Sequence, residues 1–127
     1  MVDKFADAIN KIKTNENIGR ASCILDSTKF IKAVLDIMKR EGYIEDYEEF
    51  KEDKFKKIRV KLLNRINDIG VIKPRYAIAA DEIISQESKY IPSKDFGILI
   101  LTTPQGLMTN KEAKAKNIGG RLVAYVY

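Results

Sequence analysis

The sequence predicts an α+β protein of two small lobes. The N-terminal lobe, residues 1–67, has the order α-β-α-β-β, and the C-terminal lobe, residues 68–127, is mainly β with one short helix. Three observations carry this expectation. The first half holds two segments whose apolar residues recur at intervals of three and four. Beyond Asn67 the apolar residues come instead in short runs, broken by Pro, Gly and Asn. A chain of 127 residues that is 45% hydrophobic also has enough apolar surface for a core.

The elements follow in order. Val2, Phe5, Ile9 and Ile12 lie on one face of a first helix, with Asp3 near its positive end and Asn15, Asn17 and Gly19 at its close. Residues 21–25 read as a short buried strand carrying Cys23. Asp26 and Ser27 offer capping oxygens to a second helix, in which Phe30, Val34, Ile37 and Met38 face inward and Gly42 supplies the left-handed stop. Residues 43–47 and 55–63 read as two strands joined by an acidic loop. In the second of them Ile58, Val60 and Leu62 alternate with Arg59 and Lys61. Residues 69–73 form a strand that Pro74 stops, and Tyr76 to Ile78 resumes it. Residues 81–88 form a brief helix or turn, and residues 96–103 a strongly apolar strand. Pro104, Gln105 and Gly106 turn the chain, and the capping box Thr109-Asn110-Lys111-Glu112 opens a short helix. Residues 117–120 end it, and residues 121–127 are the last strand.

Composition narrows the function. The chain has no histidine, no tryptophan and one cysteine. Histidine general bases, His-ligated zinc and Ser-His-Asp or Cys-His arrangements are therefore excluded, as is an internal disulfide. There is no Walker A sequence, dinucleotide fingerprint or zinc spacing. No residue is assigned a catalytic role, and no metal or cofactor is expected. The start lacks an apolar leader core, and the longest apolar run, Ile98 to Leu101, is too short to span a bilayer, so a soluble intracellular protein with no membrane partner is expected.

Net charge is +5, and it is unevenly spread. Residues 45–53 hold six acids against Lys51, net −5; residues 54–75 hold eight bases against Asp68, net +7; residues 96–127 hold four bases against Glu112, net +3. Pairing across a solvated hairpin accounts for part of this. It leaves Lys29, Lys32, Lys73, Arg75, Lys111, Lys114 and Arg121, a basic surface over both lobes of the kind that binds a polyanion.

The most informative stretch is residues 97–110, GILILTTPQGLMTN. A buried strand delivers Thr102 and Thr103 to a turn of Pro104, Gln105 and Gly106, and a capped helix follows. Two hydroxyls and an amide thus sit on a loop held at both ends. Hydroxyls donate and accept, which suits ribose and base edges. Pro104 offers a flat apolar surface and Gly106 a close approach. A second candidate is Gly119-Gly120-Arg121, a glycine pair followed by a guanidinium. On spacing alone, a plain hairpin explains the first stretch and a helix stop explains the second.

These residues carry a resemblance. The run from Gly97 to Asn110, then Ala113-Lys114, Ile118-Gly119-Gly120-Arg121 and Ala124-Tyr125-Val126-Tyr127, resembles the carboxyl end of the universal small-subunit ribosomal protein eight family. That family has a Ser/Thr-Thr-x-x-Gly-φ-Met-Thr turn and a Gly-Gly step into a terminal strand. Ser27-Thr28-Lys29 before the second helix and Lys39-Arg40-Glu41-Gly42-Tyr43-Ile44 after it are similar too. The resemblance implies a non-enzymatic structural constituent of the small ribosomal subunit, working in the cytoplasm. Its partner would be an irregular helix in the central domain of small-subunit rRNA, bound early in assembly, beside neighbouring small-subunit proteins. Some members also repress their own mRNA. The family's base-contacting loop maps onto Thr102, Thr103 and Pro104, with Gln105 and Gly106 completing the turn. Pro104 stands where a serine is frequent, so that hydroxyl contact is lost. Arg121 replaces a glutamate of many bacterial members and is suited to a phosphate. Pro104 and Ile72-Lys73-Pro74-Arg75-Tyr76 look archaeal. Lys29, Lys32, Lys73 and Arg75 are the expected phosphate contacts.

Three other classes remain open on the residues themselves. A duplex DNA module would use Lys29, Lys32, Lys39 and Arg40 of the second helix. A magnesium enzyme would use Asp81-Glu82. A protein adaptor would use the acidic loop at residues 45–53.

Overall fold

The computed structural model describes residues 4–73, 75–93 and 96–127. Val2, Asp3 and the stop at Pro74 lie outside the described residues. The chain divides into two compact units, Met1–Ile66 and Asn67–Tyr127, and mixes helices with two antiparallel sheets.

In the first unit α1 (Lys4–Asn17) is followed by β1 (Ser22–Asp26), α2 (Lys29–Arg40), β2 (Ile44–Glu52) and β3 (Phe55–Leu62). The sheet order is β1-β3-β2. The 3.6-residue spacing in α1 buries Phe5, Ala8, Ile9 and Ile12, while α2 buries Ile31, Val34, Leu35, Ile37 and Met38. Phe30 is half-buried, its ring edge-on to Phe5 with centroids 4.9 Å apart. The expected caps of α2 are corrected. Thr28, and neither Asp26 nor Ser27, accepts the Ile31 N–H at 3.0 Å. Asp26 instead holds Lys57 at 2.5 Å, and Ser27 donates to Glu49. Gly42, at φ +81°, makes the left-handed turn after α2.

The acidic loop is the larger correction: residues 45–52 belong to β2, which carries the strand expected over residues 43–47 on through residues 48–52. They pair in register with β3, with Asp46 opposite Lys61, Glu48 opposite Arg59 and Phe50 opposite Lys57, which leaves Asp53 and Lys54 as the turn. Cations on both sides make an acid-rich strand tolerable. Arg59 reaches Glu48 at 3.3 Å, Lys32 reaches Glu49 at 3.4 Å and Lys39 reaches Asp46 at 3.0 Å. The Lys57 ammonium beside Asp26 holds that carboxyl below the usual carboxylate range.

Cys23 is buried at 6% exposure, and desolvation pushes its thiol up to about 11. At neutral pH the thiolate is therefore scarce. We expect a disulfide exchange reagent to label Cys23 only at the rate of unfolding; rapid labelling of the native protein at neutral pH would contradict this.

The second unit runs β4 (Ile69–Val71), β5 (Ala77–Ile78), a 3-10 turn (Ala80–Glu82), α3 (Ile83–Tyr90), β6 (Ile98–Thr103), β7 (Gly106–Thr109), α4 (Asn110–Lys116) and β8 (Gly120–Val126). The sheet order is β4-β8-β6-β7, with β5 also paired to β8. Residues 81–88, legible only as a helix or turn, form the 3-10 turn and α3, which adds a second α-helix to the one expected in this lobe. The four-residue β7 was missed because Leu107 and Met108 are too short a run to signal a strand. Thr109 caps α4 as its sequence predicts, accepting the Glu112 N–H at 3.3 Å, and Asn117 closes it at φ +55°. The core gathers Leu99, Leu101, Met108, Ala113, Leu122 and Ile83 around β6 and β8. Among the described residues no helix is long and apolar enough to cross a membrane.

A buried polar strut ties the helices to the sheet. The Glu87 carboxylate, 3% exposed, accepts from the Asn110 amide and from the Lys114 ammonium at 2.9 and 3.0 Å. Asn110 in turn accepts the Leu99 N–H at 3.1 Å. Lys114, expected on the basic surface, is thus an internal partner.

Candidate nucleic-acid interface

The apolar β6 emerges from the core as two half-buried threonines. Thr102 lies opposite Leu107 on one side and Arg121 on the other, and Thr103 lies opposite Gly106. Pro104 and Gln105 form the turn. The Thr103 hydroxyl closes that turn, donating to the Gly106 carbonyl at 2.7 Å and accepting the Gln105 N–H at 3.1 Å. One of its two lone pairs remains for a ligand. The Thr102 hydroxyl has no hydrogen-bond partner among the described residues. Gly106 adopts φ +108° and faces open space, so its conformation rather than crowding calls for glycine.

Gly119 and Gly120 are small for a reason the sequence did not reveal. A Cβ on Gly119 would sit 2.3 Å from the Ile78 carbonyl oxygen, and one on Gly120 would sit 2.4 Å from the Thr102 carbonyl oxygen. The pair lets the start of β8 pass between β5 and the end of β6. The close approach that this pair permits is made to the protein's own backbone. Its effect is to set Arg121 opposite Thr102 in one register and opposite Ala77 in the other. The Arg121 guanidinium donates to the Arg75 carbonyl at 3.1 Å, which orients the fork while leaving N–H groups outward.

The result is an open groove of about 400 Å³ lined by Thr102, Thr103, Pro104, Gly119, Gly120 and Arg121, with Ala77 and Ile78 of β5. Two hydroxyls, a flat ring and one cation in a neutral setting suit a sugar-phosphate segment better than a metal or a small apolar ligand. Gln105 and Gly106 stand outside the groove on the exposed turn. Arg75 joins through its carbonyl, and Lys73 lies in the bend after β4. Lys29 and Lys32 belong to α2 in the other unit; Lys29 has no ion-pair partner among the described residues, whereas Lys32 is partly offset by Glu49. Lys111 is exposed at the start of α4.

Of the rival sites, Glu82 accepts the Ala79 N–H at 3.2 Å and so starts the 3-10 turn, and the acidic segment is a paired strand. Tyr125 and Tyr127 stack with centroids 6.2 Å apart. Tyr125 lies across Gly70, where a Cβ would meet its hydroxyl oxygen at 2.7 Å. Glycine inside a strand was the available signal.

The chain is similar to known proteins along its whole length. A family model described as Ribosomal protein S8 matches residues 3–127. The Small ribosomal subunit protein uS8 of Aeropyrum pernix is 46% identical over 131 residues, covering 100% of this chain and 98% of the relative. Its counterpart in Methanococcoides burtonii is 42% identical over 128 residues, again covering 100% of this chain and 98% of the relative.

Proposed function

The chain belongs to the ribosomal protein S8 family, and from that premise we propose that it binds directly to an irregular helix in the central domain of small-subunit rRNA during subunit assembly. It is a structural constituent of the small ribosomal subunit in the cytoplasm, and it is not an enzyme. The observation that carries the finer reading is the groove in which Thr102, Thr103 and Arg121 converge. An irregular helix splays bases and widens its groove, exposing 2′-hydroxyls that a free threonine hydroxyl and a partly free one can bond. Arg121, held by Arg75, takes an adjacent phosphate. Lys29, Lys32, Lys73 and Arg75 supply phosphate contacts that position the protein without reading sequence. Repression of its own mRNA follows if that message folds into the same irregular helix, and neighbouring small-subunit proteins complete the set of partners.

The test is a gel-shift titration at two salt concentrations. Its probes are a central-domain hairpin, the same hairpin with its internal loop fully paired, and a duplex DNA of equal length. Tight binding to the irregular hairpin alone is expected; equal, salt-labile binding to all three would reduce the basic surface to a generic polyanion contact.

Within this reading the two threonines separate. Thr102→Ala should weaken hairpin binding by about 1–2 kcal/mol and leave the thermal midpoint unchanged, because its hydroxyl has no partner to lose among the described residues. Thr103→Ala should weaken binding similarly while also loosening the turn. Unaltered affinity in both variants would remove the groove from the interface.

A further inference from the structure

The tip of the β2–β3 hairpin, in the unit that does not carry the groove, has the makings of a second nucleic-acid contact. Phe55 opens β3 and is 68% exposed. The other phenylalanine of the hairpin, Phe50, is covered by the Arg59 guanidinium at 5.3 Å from its centroid. Phe55 is bare, flanked in sequence by Lys54 and Lys56, with Glu52 opposite it across the strands. Lys51 and Lys56 stand directly opposite each other across the strands, an arrangement that costs stability in the protein alone. Lys4, Lys51, Lys54 and Lys56 have no ion-pair partner among the described residues, while Lys57 is held by Asp26. Phe55, Lys4, Lys54, Lys56 and the Asp26–Lys57 pair border a cavity of about 340 Å³.

We propose that this tip binds a single-stranded or looped-out RNA segment, stacking one base on Phe55 and placing the flanking phosphates on Lys54, Lys56 and Lys4. It rests on the RNA-binding reading given above but uses other residues. An aromatic face that any base can stack on, set among unpaired lysines, is the arrangement by which proteins hold unpaired strands without reading their sequence. An acidic peptide would engage the lysines and leave the ring without a role. The like-charge pair at Lys51 and Lys56 is relieved by the phosphate it faces.

The chain has no tryptophan, so Phe55→Trp installs a single reporter at an exposed site. The probe is a short oligouridylate, which has no helix for the groove to recognise. Saturable quenching of the new indole is expected. Phe55→Ala should weaken oligouridylate binding to the full chain by about tenfold, with far-UV circular dichroism unchanged, and Thr102→Ala should leave it as it was. No quenching, or wild-type affinity in Phe55→Ala, would overturn the proposal. So would polyglutamate competing for the tip with an affinity indifferent to Phe55→Ala, which would make the tip a contact for acidic protein. Loss of irregular-hairpin selectivity with this quenching intact would count against the groove alone.

Discussion

Gly120→Ala should destabilise the second unit by about 3 kcal/mol and cost more than tenfold in affinity for the irregular hairpin. The new methyl would lie 2.4 Å from the Thr102 carbonyl oxygen and 3.0 Å from the Thr103 methyl. The nearer neighbour is backbone in a central strand, so no side-chain rotation relieves the clash, and β6 and β8 must separate. Overpacking of this kind lies at or above the upper end of the usual 1–3 kcal/mol range. Because Thr102 and Arg121 are paired across that contact, the separation also disperses the groups that meet RNA. Urea denaturation followed by circular dichroism measures the first effect and the gel shift the second. Wild-type values in both would mean that the glycine pair serves only to stop the preceding helix.

Lys114→Met should cost about 3 kcal/mol. It leaves the Glu87 carboxylate, 3% exposed, with the Asn110 amide as its remaining side-chain partner, and breaking one side of a buried pair is penalised far more than the pair itself contributes. The companion variant Glu87→Leu with Lys114→Met removes the stranded charge and should recover a large part of the loss. Native-state hydrogen exchange would locate the weakening in the amides of α3, α4 and β6, including the Leu99 N–H that Asn110 accepts. Equal instability of the single and double variants would show that the strut acts through packing rather than charge.

Local signals were legible wherever the forces are local. The apolar spacing of α1 and α2, the alternation of Ile58, Val60 and Leu62 in β3, and the Thr109 cap of α4 each depend on residues within about one helical turn or one strand. The two halves of the groove were legible separately, since Thr102, Thr103 and Pro104 are consecutive and Arg121 follows a glycine pair that stands out by composition; the pairing of β6 with β8 that joins them was not. The cap of α2 was misplaced by one or two residues because Asp26, Ser27 and Thr28 all have suitable oxygens. Lys57 and Glu49, distant in sequence, engage the first two and leave Thr28 for the helix.

The sequence by itself determined the fold class, the family, the strand and turn that bear the threonines, and the cap of the helix beyond them. The spacing in α1 and α2 carries the first of these, and contiguous motifs in residues 97–127 the others, with turn and cap chemistry that needs no distant partner. Only the tertiary structure decided that residues 48–52 continue the strand, that Lys114 faces inward, and that Gly119 and Gly120 are small for the sake of Ile78 and Thr102. An acid-rich segment forms a strand only when cations from α2 and β3 are brought beside it. A lysine is drawn inward only when a buried carboxylate waits for it, and a Cβ is forbidden only by backbone that the fold has placed within 2.4 Å. Each is a pair energy between residues far apart in the chain, and it exists only once folding has made them neighbours.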